Sequence, residues 1–530
     1  MVKRLALASL FCCLTVGPAS IAVSTEVIVS DLQQPQPASS SSLTVGDIDD
    51  WNSTIRQVPG VGTRTVPSSQ PAIRLDSLLS SPIDDTTTAP DLAPTPVTPS
   101  PSSDGYEDRH VEVWDGNSAG SYANGGYASH TGGCCDTCCG GCDGGCDGCC
   151  GGSMGSSGGW FADLAIAQGF TGNPDDPVNN FNTPLTFNDR SNEYLLNQIY
   201  LSLGRAVEDT ASGWDLGAQV DLLYGSDYFF TQAAGLETRS DGSPHWNSSD
   251  GPRGAGAAIY GLAMPQLYAE IKTPFFGGTS IKMGHFYTII GYEVVPAARN
   301  FFSSHSYTMQ YGEPFTHTGL LSTTRLSDSI NLHSGVTRGW NNWEDNNSKL
   351  GYLSGFNWTA PDAKSTFAFA ITISEEDNAG INNRTMYSMV YTHVVGCGMR
   401  YVFQHDFGIE DGAEIDAAGN PETAKWYGIN QYLFVDLSDS LTAGLRMEWF
   451  RDQDNARVLA FPSEALAEGG NYTALTAGVN WRAASNFVVR SELRGDWSDV
   501  RPPVGLGTGM FNAFSADEQF TWSTDIILTF

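Results

Sequence analysis

The 530-residue sequence has little charge, few basic residues and no long apolar run beyond its N-terminus. Charged residues make up 16% of the chain, a share that argues against coiled coils and helical bundles. Lys and Arg number 27 against 59 Asp and Glu, so the basic face that nucleic-acid binding requires is not expected. After the N-terminal region no stretch of 18 or more apolar residues occurs, so no transmembrane helix is predicted there.

Residues 1–24 have the pattern of a secretory signal peptide. Lys3 and Arg4 form its positive start, an apolar stretch covers 5–16, and a small-residue cleavage site follows. The apolar stretch is shorter than the roughly 20 residues that a membrane-spanning helix needs. A lipid-attachment site at Cys12 is the alternative, but the small residues it requires are missing before the cysteine. The pattern predicts an exported protein.

Residues 25–133 are rich in Ser, Pro and Thr and show no sustained hydrophobic periodicity. Such a segment buries too little apolar surface to offset the entropy that ordering would cost. We therefore expect a disordered or polyproline-like tether between the signal peptide and the rest of the chain.

A Cys- and Gly-rich segment follows at residues 134–159. Eight of its first seventeen residues are cysteines, and several pairs have the CxxC spacing. They are Cys134, Cys135, Cys138, Cys139, Cys142, Cys146, Cys149 and Cys150. In an exported protein this pattern favours disulfides or crosslinks to a neighbour. A metal held by paired thiolates, or a spacer without special chemistry, remain the alternatives.

Short segments of alternating polarity fill residues 160–530. The C-terminal run EQFTWSTDIILTF shows the pattern most clearly, because its apolar and polar residues alternate up to the last position. The apolar row is Phe520, Trp522, Thr524, Ile526, Leu528 and Phe530, and the polar row includes Thr521, Ser523, Asp525 and Thr529. A period of two is typical of a strand with one apolar and one polar face. Counting such segments predicts about 16 strands.

The same alternation would fit a soluble β-sandwich, but two features favour a membrane barrel. The segments run to roughly 10 to 14 residues, enough to cross a bilayer at a tilt, whereas soluble strands are usually shorter. Aromatic residues such as Trp214, Tyr224, Trp449 and Trp497 stand near the ends of the apolar rows, as in an interfacial girdle. The sequence predicts an all-β fold, an antiparallel transmembrane barrel with both of its termini in the periplasm.

The polar rows of several predicted strands carry charges of both signs. A barrel of about 16 strands encloses water, so these rows are predicted to line a pore. The predicted pore-lining residues are Arg400, Arg446, Glu448, Arg490, Glu492, Arg494, Asp496 and Asp525. Opposed charges could create a transverse field that orients solutes, or could pair and brace the wall.

The alternation lapses between residues 289 and 317. This connection is long and rich in aromatic residues, which argues against disorder. We expect it to pack into the barrel and narrow the pore. Its candidate lining residues are Glu293, Arg299, His305, Tyr307 and Glu313.

Six motifs resemble the OmpL-like β-barrel porin family. They are TFNDRSNE at 186–193, GHFYTIIGYE at 284–293, YGEPFTHTG at 311–319, GWNN at 339–342, EWFRD at 448–452 and RSELRGD at 490–496. The resemblance extends over about 160–530 and implies an outer-membrane porin. It implies little about the solute and does not cover the tether or the Cys-rich segment.

The sequence therefore predicts passive diffusion of small hydrophilic solutes or ions through an outer-membrane channel without a cofactor. The expected partners are outer-membrane lipid and the solutes, with cell-wall components or a second copy of the chain as partners of the cysteines. One alternative is a structural envelope protein crosslinked through the Cys-rich segment. Another is a barrel enzyme, for which Ser304, His305 and Ser306 are the suggestive cluster, although adjacency does not create a catalytic geometry.

Overall fold

A computed structural model describes residues 159–530 except 209–212, 240–242, 250, 252–256, 378, 397, 416–419, 459–468 and 503–506. The predicted signal peptide, the tether and all eight clustered cysteines lie outside the described residues. Among the residues described, no helix is both long and apolar enough to cross a membrane.

Sixteen strands form one closed antiparallel barrel, in which each strand pairs with its neighbours in sequence and β1 pairs with β16. The prediction of an antiparallel barrel of about 16 strands is confirmed. The strands are β1 Trp160–Gly172, β2 Glu193–Arg205, β3 Asp215–Gly225, β4 Gly261–Thr273, β5 Thr279–Tyr287, β6 Thr316–Ser327, β7 Ile330–Thr337, β8 Gly351–Thr359, β9 Ser365–Glu375, β10 Asn383–Val394, β11 Met399–Ile415, β12 Pro421–Ser438, β13 Leu441–Asp452, β14 Gly470–Ala484, β15 Phe487–Ser498 and β16 Glu518–Thr529.

The two ends of the barrel differ in the length of their connections. At one end, turns as short as 439–440 and 485–486 join the strands, and both β1 and β16 have their outer termini there. At the other end lie the long connections, among them 226–260, 288–315 and 499–517. We call these the short-turn end and the long-loop end. The long connections contain a helical turn, α1, at Tyr228–Thr231, a 3₁₀ turn at Ala297–Arg299 and a π-helical turn at Thr308–Gly312, while a 3₁₀ turn at Phe275–Gly277 lies at the short-turn end.

The strands present an apolar outer face and a polar inner face. On β16, Phe520 and Trp522 are 44% and 42% exposed, whereas Thr521 and Ser523 are each 3% exposed, in agreement with the sequence pattern. On the outer face, neighbouring aromatic rings contact one another across β8 to β13. This row consists of Phe356, Phe369, Tyr387, Phe407, Tyr427 and Trp449. The row spans six of the sixteen strands and contributes to the apolar outer face that a membrane barrel presents to lipid.

The connection between β5 and β6, residues 288–315, lies inside the barrel, and we call it the inner loop. Phe301 and Phe302 pack against Phe434 on the inner face of β12, with ring centroids 4.8 and 6.3 Å from that ring. Gly444 on β13 makes room for this contact, because a Cβ atom there would lie 2.3 Å from the Phe301 ring. The packed core of the molecule is therefore inside the barrel, between the wall and the inner loop.

Candidate functional site: the inner loop and the charged wall

Three strands of the wall present charged side chains to the inner loop. Their charges fall on alternate residues, so the pleat turns all of them toward the interior. They are Arg446 and Glu448 on β13, Arg490, Glu492, Arg494 and Asp496 on β15, and Asp525 on β16. Each of the seven is at most 6% exposed. The charged wall is thus covered by the inner loop.

The carboxylates of the charged wall accept hydrogen bonds from backbone amides of the inner loop. Glu492 accepts the N–H groups of Ser303 and Ser304, at 2.8 and 3.1 Å. Glu448 accepts the N–H group of Tyr307 at 2.6 Å. Charge-assisted bonds of this kind are roughly twice as strong as neutral ones. Both carboxylates therefore hold the same short stretch of the inner loop.

The arginines of the charged wall donate to backbone carbonyls of the same loop. Arg446 Nη1 donates to the Ser304 carbonyl at 2.7 Å, and Arg494 Nη1 donates to the His305 carbonyl at 2.6 Å. Arg490 Nη1 lies 2.7–3.2 Å from the carbonyl oxygens of Ala297, Asn300 and Phe302. The loop lacks strand partners here, so side chains of both signs replace the missing backbone ladder.

Each of these arginines also has a carboxylate partner. Arg446 Nη1 lies 2.8 Å from Oε1 of Glu293, which belongs to the inner loop. Arg494 lies 3.0 Å from Glu448 and 2.7 Å from Asp496. Arg490 forms a two-pronged pair with Asp525, in which Nε donates to Oδ1 at 2.9 Å and Nη2 donates to Oδ2. Deleting one partner of such a buried pair typically costs about 3–5 kcal/mol, because the other charge stays buried alone.

Other residues of the inner loop contact the same set. The Tyr307 hydroxyl donates to Asp496 at 3.0 Å, and His305 Nδ1 lies 3.4 Å from Glu293. Glu313 accepts a hydrogen bond from Gln404 on β11. Arg299 is the last residue of the 3₁₀ turn at Ala297–Arg299. The first residue of that turn, Ala297, donates its N–H group to the Gln198 side chain of β2 at 2.9 Å.

A family model described as "Putative beta-barrel porin-2, OmpL-like" matches residues 163–530. The chain belongs to this family. It is an outer-membrane porin, through which small hydrophilic solutes diffuse passively. The resemblance seen in the sequence motifs is confirmed over residues 163–530. No curated protein matches the chain.

Several solved structures match the chain at low sequence identity. The anion-selective porin from Comamonas acidovorans is 10% identical and matches at a TM-score of 0.44, with 70% of this chain and 99% of that chain covered. Salmonella typhi OmpF in complex with daunomycin is 10% identical at a TM-score of 0.43, covering 70% and 97%. The channel DcaP of Acinetobacter baumannii is 8% identical at 0.42, covering 70% and 96%.

The structure brings most of the predicted site residues of this porin together. All eight predicted pore-lining residues face the interior of the barrel, and seven form the charged wall. Arg400 on β11 lies apart from that set, with its guanidinium 4.8 Å from the centroid of the Phe434 ring. The charges pair with one another and with the inner loop; their role in lining an open pore stays a prediction. The described part of the chain contains no group of three or more His, Cys, Asp or Glu residues arranged to hold a metal.

Several contacts of the inner loop were missed by the sequence analysis. The Trp426 indole donates to the Gly312 carbonyl at 3.0 Å, and the Tyr432 hydroxyl donates to Glu293 at 3.1 Å. The Thr308 hydroxyl donates to the Asn430 side chain at 3.2 Å. Trp426, Asn430 and Tyr432 share the inward parity of β12, which was the available signal.

A second charged cluster lies near the long-loop end of the barrel. Arg384 makes two 2.8 Å hydrogen bonds to Glu410 on the neighbouring strand, and Nη1 lies 3.8 Å from Glu376. Glu376, in the connection after β9, also accepts the Trp340 N–H at 3.1 Å. Burial raises the pKa of the Glu376 carboxyl to about 7, and burial also lowers the pKa of Arg457 to about 10. The Arg457 side chain joins this cluster to the inner loop by donating to the Tyr311 carbonyl at 2.8 Å.

The raised pKa of Glu376 predicts that the barrel loses stability as pH rises. An acid with a folded-state pKa of about 7 and an ordinary value of 4.5 binds more protons when folded, so its contribution is complete below pH 4.5 and is lost as pH rises through 7. The difference corresponds to roughly 3 kcal/mol. Urea unfolding of the folded barrel in detergent at pH 5 and pH 8 measures it. The Glu376→Gln variant should show a smaller loss between the two pH values, and an equal loss in both proteins would contradict the assignment.

Proposed function

We propose that the inner loop sets the width of the channel in this porin, with Glu293, Arg299, His305, Tyr307 and Glu313 as its constriction residues. The observation that carries the proposal is the docking of residues 303–307 against Glu448 and Glu492 inside the barrel. A barrel of sixteen strands is wide enough to leave an aqueous channel, and a segment held across its interior reduces that cross-section. Solute size is then limited by the loop and its wall contacts.

The proposed role of the Ser304, His305 and Ser306 cluster is structural, so we propose no enzymatic activity. The Ser304 hydroxyl accepts a hydrogen bond from Arg446 at 2.9 Å, and the Ser306 hydroxyl accepts the Met309 N–H at 3.2 Å. Both serines are buried, at 4% and 1% exposure. These contacts support a function in holding the loop, because a nucleophile needs a free, approachable hydroxyl next to its base.

Neutralising the two wall carboxylates should loosen the inner loop and enlarge the channel. In a Glu448→Gln, Glu492→Gln double variant, three loop amides lose charged acceptors and Arg494 loses one of its counter-charges. Single-channel conductance in planar bilayers should rise by roughly twofold, and larger neutral solutes should begin to pass in liposome swelling.

A Glu422→Gln, Glu518→Gln double variant is the matched control, because both carboxylates are exposed and the formal charge change is the same. Its conductance should stay near that of the unaltered protein. Equal conductance in all three folded proteins would show that the inner loop does not limit the channel. If the unaltered protein is folded, as judged by its heat-modifiable migration in electrophoresis, and still shows no stepwise conductance, passive diffusion through it is contradicted.

We propose that the clustered cysteines link the porin covalently to cell-wall components or to a second copy of the chain. Support comes from the eight cysteines at 134–150 in an exported chain. Electrophoresis of envelope extracts should then show a high-mass form that disappears on reduction and in a variant with all eight cysteines changed to Ser. If no such form occurs and metal content differs between the reduced protein and the Ser variant, the metal alternative replaces crosslinking.

A further inference from the structure

Two cavities lie between the inner loop and the wall. The upper cavity lies against β1, β2, β15 and β16, has a volume of about 20 Å³, enough for about one water molecule, and is lined by Thr171, Asn188, Asp227 and Ser303 among others. The lower cavity lies against β13, β14, β15 and β16, has a volume of about 100 Å³ and reaches the turns at 439–440 and 485–486. The lower cavity therefore opens toward the short-turn end, and the upper cavity lies toward the long-loop end.

Arg490 lines both cavities, and its partner Asp525 lines the upper one. The inner loop also borders both, through Ala297 in the upper cavity and Ala298 in the lower. Arg490 spans the space between wall and loop, because it holds Asp525 with Nε and Nη2 and three loop carbonyls with Nη1. The Arg490–Asp525 pair is therefore the partition between the two cavities.

The polar groups along both cavities suit water and small ions. The upper cavity presents the carboxylates of Asp227 and Asp525, and the lower presents the guanidinium of Arg482 and the carboxylate of Asp439 beside amide and hydroxyl groups. Arg482 is half-buried on the inner face of β14, and its backbone N–H donates to the Ser440 carbonyl at 2.8 Å. An ion moving between the cavities would pass the Arg490–Asp525 pair.

We propose that small ions cross this porin between the inner loop and strands β15 and β16, and that the Arg490–Asp525 pair determines the charge selectivity of the path. The inference rests on the proposed function of the inner loop and adds a route and its selective residues. While the pair is intact its charges cancel, so the pair itself favours neither cations nor anions. When one member is neutralised, the other faces the path at close range in a confined space, where a single charge acts strongly on passing ions.

The test is the permeability ratio of K⁺ to Cl⁻ in planar bilayers under a KCl gradient, measured on the full barrel. Asp525→Asn leaves Arg490 unneutralised, so the ratio should fall by about twofold or more. Arg490→Gln leaves Asp525 unneutralised, so the ratio should rise by a similar factor. Loosening of the inner loop alone would move both variants in one direction, so opposite shifts identify the pair.

Arg205 and Asp215 offer a control pair. They lie on the neighbouring strands β2 and β3, with Nη2 of Arg205 2.9 Å from Oδ1 of Asp215, and neither lines either cavity. Arg205→Gln should leave the permeability ratio unchanged. A swapped double variant, Arg490→Asp with Asp525→Arg, keeps a cross-strand pair and should restore the ratio if a single variant folds poorly.

The outcomes separate this inference from the proposed function. If both variants conduct, and Asp525→Asn and Arg490→Gln shift the K⁺ to Cl⁻ permeability ratio in the same direction or not at all, the proposed route is wrong. A shift of equal size in Arg205→Gln would also overturn it, because the effect would not belong to this wall. An unaltered protein that does not conduct would overturn the passive channel and this route with it.

Discussion

An irregular backbone segment at membrane depth needs hydrogen-bond partners for its amides and carbonyls, and this constraint explains the charged wall of the porin. The inner loop makes no strand ladder between residues 297 and 307. The carboxylates of Glu448 and Glu492 accept hydrogen bonds from its N–H groups. Arg446, Arg490 and Arg494 donate hydrogen bonds to its carbonyl groups. Because a backbone carries both donors and acceptors, a wall of one sign would leave half of them unsatisfied. Charges of both signs on β13 and β15 follow from that need.

The same contacts connect stability with permeation. The pairs that neutralise the arginines also fix the position of the loop, so in the proposed function the width of the channel depends on buried charges rather than on exposed ones. Exposed ion pairs contribute little and are screened by salt, whereas buried ones are costly to break. The Arg490–Asp525 pair connects the two proposals, since its arginine holds three loop carbonyls and lines both cavities.

Much of the fold could be predicted from the sequence, because alternation along a strand directly reports which face each residue occupies. The inward side of Arg446, Glu448 and Asp525 follows from parity alone. The partners of these side chains cannot be predicted from parity. For example, the 499–517 connection between β15 and β16 is too long to set the register that places Arg490 opposite Asp525. The contacts of Trp426 with Gly312 and of Glu448 with Tyr307 join residues more than 100 positions apart, and no local pattern encodes them. Arg400 shows the limit of parity, since it faces inward but stacks on Phe434 instead of joining the charged wall.

Hydrogen–deuterium exchange at the amides of residues 303–307, in the folded barrel, tests most directly whether the inner loop is held by the wall. The amides of Ser303, Ser304 and Tyr307 donate to wall carboxylates, so they should exchange as slowly as amides within β13 and β15. The exposed turn at 439–440 provides a fast reference in the same molecule. We expect the amides of residues 303–307 to be protected from exchange in the unaltered protein. We expect this protection to be lost when Glu448 and Glu492 are both changed to Gln. Exchange at residues 303–307 as fast as at the turn would contradict the account.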